Sequence, residues 1–546
     1  MLSRFGFTLC LIVVLLAIAV NIQAQNKITV DSTKWIIDGE LTPFSGLHPG
    51  DTISLLPGNR PFMIFKNING SPLKPIVIIN EGGIVEINST HYFSISIRHS
   101  RYLKLSGGGQ NNISYGIKMF HSTGSGLSIG DFTSDIEVEK VEVGYSLYSG
   151  IIAKTEPACG FQRNSFLQEN TTIHDCYIHH TGTEGMYIGS SFYQGQVIQC
   201  DSVNTTVLPP LLRDVNVYNN KVEYTGWDGI QVSSAINVKI HHNTIQFDSQ
   251  QKTDWQMTGI ILGEGSTGKI YNNEIKDGEG TGIFSNGLGD VLIFNNKILN
   301  PGKNNSLPSG RYGMYIDDKS SNSGMNFLIF NNLILNPKGE GIRFISSISK
   351  LNNKVLNNII IQEEKYLNGN APVYVHIVGE PLTVGNNFYS TDISSARFKD
   401  ISNSNFSPEE GSLLIDGGQS ISNVINSIDF DDQPRWIGNA IDIGPYESEY
   451  TRNFSNTTVD KDAVFPNPVR TNSKSTITFN NSSEGWVDFI LLDDMGRQIS
   501  LLDHCYFSKG QQIKIIEATD LHPGLNYIQI KMRLSNSLIR LSVSSD

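Results

Sequence analysis

From Ile173 to Phe388 apolar and polar residues alternate in runs of a few residues, and each run stops at Asn or Gly before a helical period can develop. One phrase, an apolar residue, a variable one, Asn-Asn, a variable one and a second apolar residue, recurs at Val217–Val222, Ile270–Ile275, Ile293–Ile298, Ile329–Ile334, Val355–Ile360 and Val384–Tyr389. Variants of it occupy Ile173–Ile178 and Ile240–Ile245. A second phrase, Gly followed by alternating apolar positions, is interleaved with the first at Gly185, Gly229, Gly259, Gly282, Gly313 and Gly341. From the second residue of the Asn pair to the next Gly is nine residues in Asn220/Gly229, Asn273/Gly282 and Asn332/Gly341, and the shortest full periods, Asn220 to Asn243 and Asn273 to Asn296, are 23 residues.

A fixed period with fixed internal offsets means one structural unit per turn of the chain. Each unit holds three short strands, and stacking such units at the ~4.8 Å spacing of paired strands predicts an all-β chain wound as a right-handed parallel β-helix. Inward Ile, Val, Leu and Met then form a continuous core, while the Asn pair tolerates a left-handed turn and lets one amide bond those above and below. Val138-Glu-Lys-Val141 fits the same phrase, so regular coiling is expected from about Ile136, after irregular turns rich in Gly between Glu81 and Gly130.

The N-terminus changes the picture next. Arg4, the apolar run Leu9–Val20 and Ile22-Gln-Ala24 before Gln25 have the order of a secretory signal peptide, and the run is too short to span a bilayer. Residues 1–24 are therefore a leader, and the mature protein is expected to be secreted or on the cell surface, without a transmembrane anchor. Removing Arg4 leaves 40 basic residues (41 − 1) against 53 acidic ones, with no basic cluster, which excludes nucleic acid as a natural partner. Four cysteines remain. Cys159 and Cys200 fall in insertions that follow the Gly strand of successive coils and are expected to pair, whereas Cys176 sits at an Asn position as a buried thiol.

Three stretches carry family resemblances. Gly50-Asp-Thr-Ile-Ser-Leu-Leu-Pro-Gly58 followed by Lys74-Pro-Ile-Val-Ile-Ile-Asn80 resembles the first coils of secreted polysaccharide lyases of the pectin lyase-like superfamily, including the alginate lyase and chondroitinase B group, and implies the start of a β-helix. Asp429-Phe-Asp-Asp-Gln-Pro-Arg435 and Asn439-Ala-Ile-Asp-Ile-Gly-Pro-Tyr-Glu447 resemble the closing segment of bacterial β-helix proteins and are expected to cap the end of the stack. Asp429, Asp431 and Asp432 there suit either an Asx-rich turn or calcium. Phe465-Pro-Asn-Pro-Val469, Val487–Asp493, Gly496-Arg497 and Gly524–Ile530 resemble the C-terminal sorting domain of the type IX secretion system, a small β-sandwich. The expected organisation is thus a leader (1–24), a β-helix (25–450), a linker (451–463) and a sorting domain (464–546) that engages secretion machinery, in a monomer.

Candidate chemistry lies on the Gly strand, where alternate residues point outward. Successive coils present Ile152, Tyr187, Gln231, Ile261, Phe284, Tyr315 and Arg343 in one row, with Lys154, Ser233, Asn286 and Asp317 two residues on. Insertions at 153–168 and 190–212 follow this strand, and insertions at 246–257 and 300–312 precede it, so they would wall a groove. Aromatic faces with interspersed polar groups suit sugar rings, which makes Lys154, Tyr187, Trp227, Gln231, Phe284 and Asp317 candidate contacts for a polysaccharide. Two chemistries fit. Glu184 and Asp228, each preceding the Gly, would lie ~5 Å apart as the carboxylate pair of a glycoside hydrolase. Tyr315 and Arg343, with Asp317-Asp318, would serve a lyase, which neutralises a uronate carboxylate and removes the neighbouring proton. The signatures of polygalacturonases and of the commonest pectate lyases are missing, and a non-catalytic adhesin using the same groove is the competing class. The sequence specifies no cofactor; a lyase needs a cation or a metal to neutralise the uronate, and calcium is the candidate metal. The leader predicts a mature protein that begins at Gln25; a secreted form retaining residues 1–24, read by intact-mass spectrometry, would contradict it.

Overall fold

Each repeat unit becomes one coil of three strands, and every strand pairs in parallel with its equivalents in the coils above and below. The structure, a computed structural model, describes residues 25–546 apart from 323–325, 348–351, 368, 422–427, 439, 452–462, 466–468, 471–472, 482, 493–497, 533–535 and 545–546. The expected leader, most of the expected linker, Pro466–Pro468 and Gly496-Arg497 lie outside the described residues. The chain divides into two compact units, 1–452 and 453–546.

The first unit is a right-handed parallel β-helix with sheets of 13, 12 and 12 strands. An entry sheet carries the strand before the Asn turn, a middle sheet the strand after it, and a Gly sheet the strand after the Gly. Register is exact from coil to coil. Ile173 pairs with Val217, Val217 with Ile240, Ile240 with Ile270 and Ile270 with Ile293, and all five side chains are fully buried in one column. Each Gly of the phrase lies where a middle-sheet Ile or Val packs against the next coil. A Cβ on Gly282 would stand 2.4 Å from Ile298 Cγ2 and 2.6 Å from the Gly313 carbonyl, so only Gly fits.

The Asn column forms a continuous ladder. Asn296 donates its backbone N–H and its Nδ2 to Asn332 Oδ1 at 3.0 and 2.9 Å, and its second Nδ2 hydrogen reaches the Ile270 and Phe294 carbonyls at 2.9 and 3.0 Å. The same pattern runs from Asn220 through Asn243, Asn273, Asn332 and Asn358 to Asn387. Cys176 extends it by one coil, donating its backbone N–H to Asn220 Oδ1 at 3.0 Å.

Coiling begins well before Ile136. Strands Lys27–Val30, Ile36–Asp38 and Gly58–Arg60 already start the three sheets. Val85, Ile117 and Val141 follow one another in register in the turn column that Asn occupies later, and all three are buried. An apolar residue fills the inward turn position as well as Asn does, so the early coils keep the geometry without the phrase.

The closing segment does not cap the end of the stack. It lies back along the Asn turns as a strap, because the first residue of each pair sits at positive φ, 52° in Asn272 and 53° in Asn295, with its amide facing outward. These amides donate to strap carbonyls: Asn386 to Gly417 at 3.0 Å, Asn357 to Gln419 at 3.0 Å, Asn331 to Asp442 at 2.9 Å, Asn295 to Ile428 at 3.1 Å and Asn272 to Asp429 at 3.2 Å. Arg435 is buried beneath, donating to the Gly444 and Pro445 carbonyls at 2.9 and 2.7 Å and to Asn295 Oδ1 at 2.6 Å. Asp429 closes the turn by accepting from the N–H groups of Asp431, Gln433 and Glu447, each at 2.9 Å, which is the Asx-rich alternative. Leu414, Ile443 and Tyr446 cover the apolar outer face made by Leu299, Leu333, Leu335, Ile359 and Ile361.

The second unit packs a sheet of three strands and a sheet of five around Phe479, Val487, Phe489, Ile528, Ile530 and Leu541. Replacing Asn296 with Ala removes a fully buried rung of the ladder and orphans the polar groups it served. A loss on the order of 2–4 kcal/mol is expected in denaturant unfolding, and a loss below ~0.5 kcal/mol would deny the ladder its structural role.

Candidate functional site

The Gly sheet stacks the outward row in strict order. Ile152 pairs with Tyr187, Tyr187 with Gln231, Gln231 with Ile261, Ile261 with Phe284, Phe284 with Tyr315, and Tyr315 with Arg343. The row is not open throughout. Gln231 and Ile261 are each 6% exposed, so covered residues separate a Tyr187 end from a Phe284–Tyr315–Arg343 end.

At the Tyr187 end the two insertions that follow the Gly strand meet. Gln196–Cys200 and Val203–Val207 form a hairpin, and a disulfide joins Cys159 to Cys200 with their Cα atoms 5.7 Å apart. Lys154 lies 4.5 Å from the Tyr187 ring centre and pairs with Glu156 at 2.7 Å.

Glu184 and Asp228 stand on adjacent rungs directly before the Gly, where the Gly185 N–H donates to the Asp228 carbonyl at 2.9 Å. Both side chains are buried, Asp228 completely, and neither Asp228 carboxylate oxygen has a hydrogen-bond partner. Burial, reinforced by Glu184 and Asp248, pushes the Asp228 carboxyl well above its ordinary range, and burial raises Glu184 as well. Asp248, from the insertion at 246–257, is also completely buried and is pushed up to about 6 by desolvation. Desolvation therefore favours the neutral form of both acids, which lie beneath the surface. Trp227, the residue before Asp228, has its Nε1 buried and without an acceptor.

The Tyr315 end faces solvent. Trp255, 64% exposed on the 246–257 insertion, packs edge-on against Tyr315 at 6.2 Å; Phe284 and Tyr312 flank the same ring at 5.5 and 5.4 Å. Burial, followed by the charge of Asp317, raises the Tyr315 phenol and so keeps it protonated. Arg343 lies 5.6 Å from the Tyr312 ring centre and donates to Glu340 at 2.9 Å. Asp317 is buried, accepting from the Lys319 N–H at 3.0 Å and pairing with its ammonium at 3.0 Å, while Asp318 accepts from the Ser347 N–H and from Asn353 at 2.6 and 2.9 Å. These two acids hold the strand end together. A cavity of about 410 Å³ adjoins the cluster, lined among others by Arg311, Tyr312, Glu340, Gln362 and Tyr366.

Two polar members of this cluster carry no distinctive sequence signal. Glu340 precedes Gly341 at the same register as Glu184 and Asp228, a coincidence shared with ordinary turn signals. His376 follows Arg343 in the row, but its strand has Tyr374 where the Gly should be, so the phrase ends one coil too early. Among the described residues one group has the spacing of metal ligands, Glu137, Glu139 and His174 on the entry sheet, and the Lys104 ammonium already bridges its two carboxylates at 2.7 and 3.0 Å. His241 stacks between Tyr218 and Tyr271 at 5.1 and 4.7 Å in a file of outward rings, a packing role.

The fold is that of a right-handed β-helix protein. A family model for right handed beta helix regions matches residues 213–388. Among solved structures, the chain is similar to a lacto-N-biosidase from Eubacterium ramulus at 13% identity, covering 67% of this chain and 68% of that one with a TM-score of 0.43. It is similar to an alginate lyase from a Paenibacillus species at 11% identity (66% and 99% covered, TM-score 0.36) and to a pectate lyase at 12% identity (78% and 97% covered, TM-score 0.38). No curated protein sequence matches significantly. Among the described residues no helix is long and apolar enough to cross a membrane.

Because Asp248 is held above its unfolded value of 3.8, the folded chain keeps a proton that the unfolded chain releases; the stability from this site is complete below about pH 4 and is lost as pH rises through about 6. Asp248→Asn is expected to be more stable than the parent at pH 8, on the order of 2 kcal/mol, and equal to it near pH 4. Equal stability changes at both pH values would mean that the acid is not neutral in the fold.

Proposed function

We propose that the protein is a secreted polysaccharide-binding and polysaccharide-degrading enzyme that works in the groove of the Gly sheet, with its chemistry at the Tyr315 end. One observation carries this reading. Phe284, Tyr315 and Arg343 project from three successive rungs into a solvent-facing cleft walled by Trp255 and Tyr312, beside a cavity of about 410 Å³. A row of rungs spaced ~4.8 Å apart suits a polymer of sugar rings, and the aromatic faces suit their CH surfaces. Tyr187, Trp227 and Lys154 would form a second contact patch beside the disulfide-linked loops, set apart from the Tyr315 end by the covered Gln231 and Ile261.

Elimination is favoured over hydrolysis. Arg343 offers a cation for a uronate carboxylate and Tyr315 a protonated phenol for the leaving oxygen, whereas Asp228 has no route to a substrate while it remains completely buried. The leader would export the chain, and residues 464–546 would serve as the sorting domain for type IX secretion.

Reducing-end release and absorbance of unsaturated ends, measured on neutral and acidic polysaccharides, test the reading. Arg343→Ala and Tyr315→Phe are expected to lower turnover by ~100-fold or more. Loss in Glu184→Gln and Asp228→Asn with Arg343→Ala active would point instead to hydrolysis, and binding without turnover on any polysaccharide would identify an adhesin.

A further inference from the structure

We infer that His376 is the base of this site and that Glu340 is its positioning residue, an inference that rests on the elimination reading above. Glu340 occupies the rung position directly before Gly341, and one of its oxygens, Oε1, receives two donors: Arg343 Nη1 at 2.9 Å and His376 Nδ1 at 2.8 Å. Its second oxygen, Oε2, is buried and has no partner. A carboxylate only accepts, so this contact places the proton of the neutral imidazole on Nδ1 and leaves the lone pair on Nε2. Nε2 has no protein partner among the described residues, and the His376 side chain is 44% exposed. The same carboxylate therefore orients both a cation and a base.

Register places the groups in a usable order. Tyr315 pairs with Arg343 and Arg343 with His376, so the acid, the cation and the base project from three consecutive rungs of the Gly sheet. The outer two backbones are roughly 9–10 Å apart, two strand spacings. One sugar residue seated over Arg343, with a hydrogen bond at each end, spans that gap.

The step balances without a further reactant. With the uronate carboxylate paired to Arg343, His376 Nε2 takes the proton from the carbon next to that carboxylate. The electron pair of the broken C–H bond becomes the C=C bond as the adjacent C–O glycosidic bond breaks, and the leaving oxygen takes the Tyr315 phenolic proton. The imidazolium then returns its proton to solvent, and the phenolate recovers one.

The test uses the full mature chain and four acidic polysaccharides, alginate, polygalacturonate, chondroitin sulfate and heparan sulfate, following absorbance of unsaturated ends. His376→Ala is expected to lower kcat by ~100-fold or more with KM little changed, and imidazole added to the buffer is expected to restore part of the loss. Glu340→Gln is expected to lower kcat by roughly tenfold, and the double variant is expected to lose the imidazole rescue, which a merely structural Glu340 would leave intact. Wild-type kcat in His376→Ala overturns the inference while leaving the elimination reading in place. A wild-type protein that binds these polysaccharides but eliminates none overturns the inference together with the lyase reading. One that binds no glycan at all overturns the groove as well.

Discussion

Backbone pairing between consecutive coils governs everything else in the first unit. In a parallel β-helix the N–H and C=O groups of each strand are satisfied only by the strand above and the strand below, so a coil cannot rotate or slip against its neighbours without breaking all three sheets at once. Residues that are 23 or more apart in sequence become side-by-side neighbours about 4.8 Å apart, at every position around the coil. The Asn ladder uses that constraint at the sharpest turn, where three backbone groups per coil would otherwise be left without partners. The Gly sheet uses it on the opposite side, where Tyr315, Arg343 and His376 inherit their spacing from the main chain rather than from loops.

The two halves of the Asn pair have different work. The second Asn is inward and buried, and it binds the coils to one another. The first is left-handed and outward, and it binds the strap. A single dipeptide thus joins the inside of the stack to its surface covering. Arg435 reinforces that junction from beneath, since a buried guanidinium is tolerated only where carbonyl and amide oxygens surround it.

Legibility in the sequence followed the physics of each element. The period, the three strands per coil and the outward row from Ile152 to Arg343 were all readable, because strict register makes position in the coil a function of sequence alone. The early coils were not, since Val85, Ile117 and Val141 fill the Asn column with residues that any core strand contains. The direction of the strap was not readable either; its partners lie up to 190 residues away, and no local pattern distinguishes a lid on the end from a cover along the side. Of the candidate site residues, Tyr315 and Arg343 are adjacent and half-buried. Depth was the hidden variable for Asp228, whose side chain differs from a surface turn residue only in what the insertion at 246–257 lays over it.

A stack in which each coil touches only its neighbours is by nature a one-dimensional array, able to peel open from its last coil one turn at a time. The strap alters that thermodynamics. It is anchored on rungs from Asn272 to Asn386, so freeing the final coil means detaching a segment that also grips coils deep in the array. Fraying at the end is thereby coupled to opening in the middle, and the covering segment turns a sequential unzipping into a concerted transition.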